Sequence, residues 1–332
     1  MNAWKLRFSM VATLAVIIGL TTLVSSAVLL WVGYFSLITV GLIVVVINVA
    51  QWLLSPYLVG AMYRVKALKD GENPKLQQMV TNLSKKSGIK APQIMLSQIP
   101  LPNAFAYGSP LTGNRVAVTE GLLKNLDDGE VEAVVGHELG HLKHRDVQVM
   151  MAVSFLPALF YYIGFSLMWS GVLGGGGRQG QGGGNGNNAL IGIAFMAFSW
   201  VLTLFTLYLS RLREYYADRH SASIVDNGAY KLQTGLVTIV EESKRSRNPQ
   251  QKNKSKTNTA YKAIFIADPE RAAYDAEELH QNNVQSKSDI LRVKLSEKPT
   301  KLDNFSEVFS THPNIIKRLR ALQEIQEHPR GY

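Results

Sequence analysis

Hydrophobic positions along this chain fall into long uncharged runs separated by strongly polar segments. No Asp, Glu, Lys or Arg occurs from Phe8 to Tyr63, from Val147 to Gly177 or from Gln179 to Ser210. The hydrocarbon core of a bilayer, roughly 30 Å thick, is crossed by about 20 apolar helical residues. The runs therefore predict four spans: Met10 to Trp31, Ser36 to Leu58, Val149 to Leu173 and Ala189 to Ser210, with Gly33 and Tyr34 at an uncharged turn between the first two. A secretory signal is the rival reading of the start, because Ser25, Ser26 and Ala27 resemble a cleavage site behind a basic N-terminus. The apolar run outlasts a signal peptide and continues straight into a second span, which favours an uncleaved hairpin. The tract GGGGRQGQGGGNGNN, from Gly174 to Asn188, has neither the GK[ST] ending nor the preceding strand of a phosphate loop and reads as a flexible linker.

The polar segments carry the soluble structure. Lys5 and Arg7 precede the first run, and Arg64, Lys66 and Lys69 follow the second, so the positive-inside bias puts the N-terminus, residues 64–146 and residues 211–332 in the cytoplasm and the Gly-rich loop outside. The expected organisation is an N-terminal membrane hairpin over 1–63, the first part of a cytoplasmic domain over 64–146, a second membrane hairpin over 147–210 and the rest of the domain over 211–332. Asn73 to Ser87 reads as an amphipathic helix with Leu76, Met79, Val80 and Leu83 on one face and Gly88 as its cap. Strand signals follow at Gln93 to Leu96, Ala104 to Tyr107 and Arg115 to Thr119. Asp127 or Asp128 then caps a helix with Val131, Val134, Val135, Leu139 and Leu142 at helical spacing, giving an α+β pattern.

Composition changes this picture in three places. At 332 residues with 46 % hydrophobic and 18 % charged residues the average is globular, but the distribution excludes a soluble cytosolic domain. The formal charge of +10 sits largely beside the apolar runs and in the polar, aperiodic insert from Lys244 to Thr259, so it calls for no nucleic-acid partner. There is no cysteine, which excludes disulfides, thiolate metal sites and cysteine nucleophiles; any metal must be held by His, Asp or Glu.

The candidate chemistry lies on the second predicted helix, which reads His137-Glu138-Leu139-Gly140-His141. Residues four apart stack on one helical face, so both imidazoles can meet one ion while Glu138 stands beside them to polarise a water. Gly140 inside a helix costs about 1 kcal/mol against Ala, which suits close packing near a site better than a plain structural helix. A solvated, charged helix surface is the bland alternative. Catalytic zinc needs a third protein ligand. A metzincin would have Gly at 144 and His at 147, where this chain has His144 and Val147. An intramembrane protease is excluded because Lys143, His144, Arg145 and Asp146 follow the motif directly. A carboxylate from another helix is left: just beyond the fourth span, Glu214 and Asp218 fall one turn apart on one face, where Glu214 can ligate and Asp218 can accept a hydrogen bond from a ligand histidine. Simple interfacial anchoring is their other reading.

The combination resembles the HtpX-type membrane zinc metallopeptidases, relatives of the CAAX prenyl endopeptidases. The resemblance covers nearly the whole chain: paired N-terminal spans, Asn103-Ala104-Phe105-Ala106, the HELGH helix, the Glu214/Asp218 pair after another hairpin, and Thr311-His312-Pro313 with Arg318. It implies an α-helical membrane protein with a cytoplasmic α+β zincin-like metalloprotease domain, multi-pass in the cell membrane. It implies one zinc ion per chain on His137, His141 and Glu214, with Glu138 as general base and Asp146 and Asp218 in support. Asn103 with the strand after it, Ala104 and Phe105, is implied to contact substrate, and His312 to lie at the site. Proteolytic quality control of membrane proteins, with unfolded or exposed polypeptide as substrate, is implied as the function. The Gly-rich loop and the basic insert depart from the family pattern.

Read physically, Asn103 can donate to a peptide carbonyl and the strand edge beside it can take up an extended chain, although a turn asparagine after Pro102 is equally ordinary. His312 can donate to an oxyanion or a leaving amine, or simply cap the chain before Pro313. His144, His220, His280 and His328 read as surface residues. A catalytically silent membrane scaffold is the alternative function. A transporter is disfavoured because the uncharged runs also lack His.

Overall fold

The computed structural model describes residues 37–69, 71–173, 185–245, 287–297 and 300–328. The first predicted span, Met10 to Trp31, its turn at Gly33 and Tyr34, the Gly-rich tract up to residue 184 and most of the basic insert lie outside the described residues. The chain divides into two units, one of 1–52 with 148–209 and one of 53–147 with 210–332.

In the first unit, helix α5 (Asp146–Leu173) carries Pro157 and helix α6 (Asn185–Ile224) runs unbroken for 40 residues, both continuing into the second unit at one end. Each is long and apolar enough to cross a membrane. The α6 helix begins four residues inside the tract read as linker. Gly164 and Gly192 form a close crossing, since a Cβ on Gly164 would lie 2.6 Å from the Gly192 carbonyl oxygen.

The second unit opens with the end of helix α1 (Leu37–Met62), which has Pro56 inside it, followed by strand β1 (Val65–Ala67). Helix α2 (Pro74–Ser87) starts on Asn73, whose side chain accepts the Leu76 N–H, and stops at Gly88, where φ of 69° accommodates a left-handed cap. Strands β2 (Gln93–Ser97), β3 (Ala104–Ser109) and β4 (Gly113–Thr119) complete a four-stranded sheet of order β1-β2-β4-β3. β2 and β4 pair in parallel, and β3 is an edge strand antiparallel to β4. The short helix α3 (Glu120–Asn125) leads to α4 (Asp128–Lys143), whose start is fixed by a capping box between Asp127 and Glu130. Helices α7 (Gly228–Arg245), α8 (Lys287–Ser296), α9 (Lys301–Val308) and α10 (Ile315–Glu327) follow.

One core joins Leu76, Val80 and Leu83 of α2, Val134, Val135 and Leu139 of α4, Leu232 and Leu236 of α7, and Leu319 and Leu322 of α10 against Val116 and Val118 of the sheet. A smaller cluster packs Tyr63 with Met95, Phe105 and Tyr107. Between them, α4 is buried along almost its whole length, which fixes the motif it carries.

Candidate metal centre

α4 and α6 approach closely because glycine lies where they cross. A Cβ on Gly140 would stand 3.0 Å from the Ala217 Cα and 3.1 Å from the His220 Cβ, and one on Gly136 would stand 3.0 Å from the Ser221 hydroxyl oxygen. That hydroxyl donates to the Ala133 carbonyl at 2.6 Å, tying the helices together one turn further along. Glu214 and Asp218 on α6 are thereby brought against His137 and His141 on α4.

His137 Nε2 and His141 Nε2 lie 3.1 Å apart, with their rings edge to face. Glu214 presents Oε2 at 3.6 Å from His137 Nε2 and Oε1 at 3.6 Å from His141 Nε2. Tetrahedral zinc held at 2.0–2.2 Å separates its ligand atoms by roughly 3.3 Å; the two imidazole nitrogens stand near that separation, and each is approached by a different oxygen of Glu214, either of which can complete the set. His137, His141 and Glu214 form a group able to bind a metal.

Each histidine is oriented from behind. Asp218 Oδ1 lies 2.9 Å from His137 Nδ1, and Asp146 Oδ2 lies 2.6 Å from His141 Nδ1. A carboxylate on Nδ1 fixes the tautomer and leaves Nε2 to face a metal. The carboxylates are held in turn: Arg213 Nη2 reaches Asp146 Oδ1 at 2.5 Å, and Arg318 donates to both oxygens of Asp218 while its Nη1 lies 3.2 Å from Glu214 Oε2. His312 Nδ1 is 3.2 Å from Glu214 Oε1. The chain leading to His312 is fastened by Arg211, whose Nη1 donates to the carbonyls of Glu307, Val308 and Ser310 at 2.8, 3.1 and 2.8 Å.

These contacts set the charge states. Burial resists ionisation of Glu214, which lies beyond the uncharged stretch of α6, yet the neighbouring His312 and Arg318 hold its pKa well below the usual carboxylate range. Burial also resists a charge on His141, but its hydrogen bond to Asp146 and the surrounding Glu214 and Glu138 lift its pKa to about 9 in the metal-free chain.

Glu138 is buried, and its Oε2 accepts the backbone N–H of Ala106 at 2.7 Å. In an antiparallel pair alternate residues turn their N–H and C=O away from the partner, so this contact identifies Ala104, Ala106 and Gly108 as the residues whose backbone turns away from β4, that of Ala106 toward Glu138. Asn103 is buried, with its N–H on the Thr119 hydroxyl at 2.9 Å and its C=O accepting the Thr119 N–H. Ala104 is fully buried, and the Phe105 ring packs between Tyr63 and Tyr107. What Ala104 and Phe105 offer at the site is therefore backbone.

Seven residues singled out from sequence thus meet around one point: His137, His141, Glu214, Glu138, Asp146, Asp218 and His312. Others were not legible. Arg211 and Arg213, which no sequence pattern singled out, hold the His312 loop and Asp146. His220, expected at the surface, is buried, with Nε2 2.9 Å from the Ser87 hydroxyl, and burial beside Lys143 and His144 lowers its pKa to about 4. His144 and His328 are exposed as expected, and His280 lies outside the described residues.

Residues 70–326 match the model of peptidase family M48. The chain is similar to the protease HtpX homolog of Aeropyrum pernix, 39 % identical over 285 residues that cover 86 % of this chain and 85 % of that one. It is similar too to the protease HtpX homolog of Thermoplasma acidophilum, 34 % identical over 89 % of this chain and 88 % of that one. The crystal structure of S. mikatae Ste24p shares the fold, with a TM-score of 0.56 at 17 % identity, covering 96 % of this chain and 66 % of that one.

Proposed function

The chain belongs to peptidase family M48 and is a metallopeptidase, and from that premise we propose that it is a membrane-anchored, zinc-dependent endopeptidase that cleaves misfolded or exposed segments of membrane proteins on the cytoplasmic side, in protein quality control. The observation that carries this reading is the convergence of His137, His141 and Glu214 beside Glu138 and the outer edge of β3. The apolar helices α5 and α6 support a multi-pass place in the cell membrane, and the basic flanks support the cytoplasmic side. The alternative of a silent scaffold has no observation in its favour.

His137, His141 and Glu214 would hold one zinc ion, which would supply the Lewis acidity that water activation and carbonyl polarisation need. Glu138 takes the proton of the attacking water. Its Oε2 is held by the Ala106 N–H, which orients the carboxylate and leaves Oε1 to move the proton on to the leaving amine. His312, whose Nδ1 stands 3.2 Å from Glu214 Oε1, is the side chain placed to donate to the developing oxyanion. An extended substrate pairs with the outward backbone of β3, where Asn103, Ala104 and Phe105 set the start of the strand.

The test is Glu138→Gln. The variant is expected to retain zinc and to lose peptide hydrolysis by roughly 10²- to 10⁴-fold, the range for a lost general base. Wild-type turnover would overturn the mechanism. Glu214→Ala should lower both zinc affinity and activity, and an unchanged zinc affinity would reassign the third ligand.

A further inference from the structure

The β3–β4 hairpin ends in Gly108-Ser109-Pro110-Leu111-Thr112-Gly113, with no charged residue between Ala104 and Asn114. Pro110 is exposed and Leu111 is 61 % exposed. An exposed leucine on a tip would be unremarkable by itself. Its position is not. The Ser109 hydroxyl donates to the Leu53 carbonyl of α1 at 3.2 Å, so the tip lies against that helix three residues before Pro56, where the proline interrupts the helical bonding.

From Leu53 to Arg64, the first of the exposed basic residues after α1, is about three helical turns, roughly 16 Å along the axis. The tip therefore lies on the apolar side of the basic collar of Arg64, Lys66 and Lys69. Along the same stretch α1 exposes Leu54, Tyr57, Leu58 and Met62 at one-turn spacing, while Val59 and Tyr63 turn inward to Phe105 and Tyr107. Leu111 continues an apolar surface that already belongs to an uncharged helix of 26 residues.

Part of the tip's backbone is closed on itself, which lowers the cost of leaving water. A turn in lipid must satisfy its polar groups internally. Here Pro110 has no N–H, the Thr112 N–H donates to the Ser109 carbonyl at 3.1 Å, and the Ser109 N–H donates to the Thr112 hydroxyl at 3.2 Å.

We propose that the hairpin tip, through Pro110 and Leu111 with the outer face of α1 from Leu54 to Met62, is a bilayer-docking surface that joins the substrate strand to the lipid. The inference rests on the endopeptidase reading for its consequence. Ala106, whose N–H meets Glu138, is three residues from Ser109, about 10 Å along a strand. A polypeptide paired with the outer edge of β3 then leaves the bilayer and reaches Glu138 within a few residues. The favoured substrate is a chain cut close to its membrane boundary.

The chain has no cysteine, so a spin label on Leu111→Cys is unique. In vesicles of phosphatidylcholine and phosphatidylglycerol, the label on the full-length protein is expected to collide with oxygen in preference to a water-soluble nickel chelate, as a label on Val46→Cys in α1 does. A label on Asp128→Cys, at a water-exposed carboxylate, should show the reverse. Chelate accessibility at 111 equal to that at 128 overturns the proposal. The activity arm uses Leu111→Asp, which should cleave a soluble peptide at the wild-type rate but a vesicle-embedded substrate at least about tenfold more slowly, because a carboxylate is costly in the bilayer. Equal rates on the embedded substrate, or equal losses on both substrates, overturn it as well. The depth measurement needs no turnover, so failure of the docking surface is distinguishable from failure of the endopeptidase reading.

Discussion

Arg318 grips Asp218 through two hydrogen bonds, Nε to Oδ2 at 2.9 Å and Nη2 to Oδ1 at 2.6 Å, across 100 residues of sequence. The same guanidinium faces Glu214, so one buried cation neutralises both the carboxylate that orients His137 and the one offered to the metal. Burial works against that charge, and the two acids more than restore it, raising the pKa of Arg318 above its usual value. Removing one partner of a buried ion pair leaves the others uncompensated and costs about 3–5 kcal/mol. Arg318→Met should therefore lower the unfolding free energy of the metal-free chain by about that amount, read in denaturant melts. A loss below about 1 kcal/mol would mean the two carboxylates do not depend on it.

Gly140 gives a prediction of opposite local and tertiary sign. Alanine is the better helix former by about 1 kcal/mol, yet its Cβ would press on the Ala217 backbone at 3.0 Å and on His220. Backbone cannot swing aside as a side chain can, so α6 must move outward and carry Glu214 with it. Overpacking of this kind costs about 1–3 kcal/mol. Gly140→Ala is expected to weaken zinc binding in a chelator competition while the far-ultraviolet dichroism stays native. Undiminished zinc affinity would show that the crossing has slack.

The pH dependence follows from His141. Its metal-free pKa of about 9 means that below that value a proton occupies the imidazole that zinc would take. Apparent zinc affinity, corrected for the chelator, should rise about tenfold per pH unit between about 7 and 9 and then level off. Stability of the metal-free fold runs the other way. A raised histidine pKa stabilises the fold below the ordinary value of 6.5, and that contribution is lost as pH rises through 9. Asp146→Asn removes the main support for the proton and should flatten the slope, while lowering affinity by about 10- to 100-fold at high pH. A slope equal to wild type would remove Asp146 from this role.

What could be read from sequence and what could not divide along a physical line. Interactions local to one helix were legible: His137 and His141 at i, i+4, Glu214 and Asp218 at the same spacing, the caps at Asp127 and Gly88. Gly140 carried a hint of tertiary contact because glycine in a helix needs a reason. Contacts made by long polar side chains across the fold left no periodic trace, so Arg211 and Arg213 drew no notice and His220 read as surface. Strand β1 was missed because three residues, Val65 to Ala67, are too few to show alternation inside a basic flank. The α6 helix takes in Asn185 to Asn188, the end of the tract read as linker, where the run of consecutive glycines has ended.

The last prediction concerns topology, on which assembly of the metal centre depends. His137 precedes the apolar block of residues 147–210 and Glu214 follows it, so that block must cross the membrane an even number of times for the two to meet. Single cysteines can be introduced without background because the chain has none. A cysteine at Gly182, outside the described residues, should react with a membrane-impermeant thiol reagent from outside intact cells, or after the outer envelope is permeabilised where one exists. A cysteine at the exposed Lys85, or at Ser246 beyond the end of α7, should react only after the inner membrane is broken. If positions 85 and 246 were labelled from opposite sides, one apolar block would cross an odd number of times. His137 and Glu214 would then stand on different faces of the bilayer, and no single ion could be held by both.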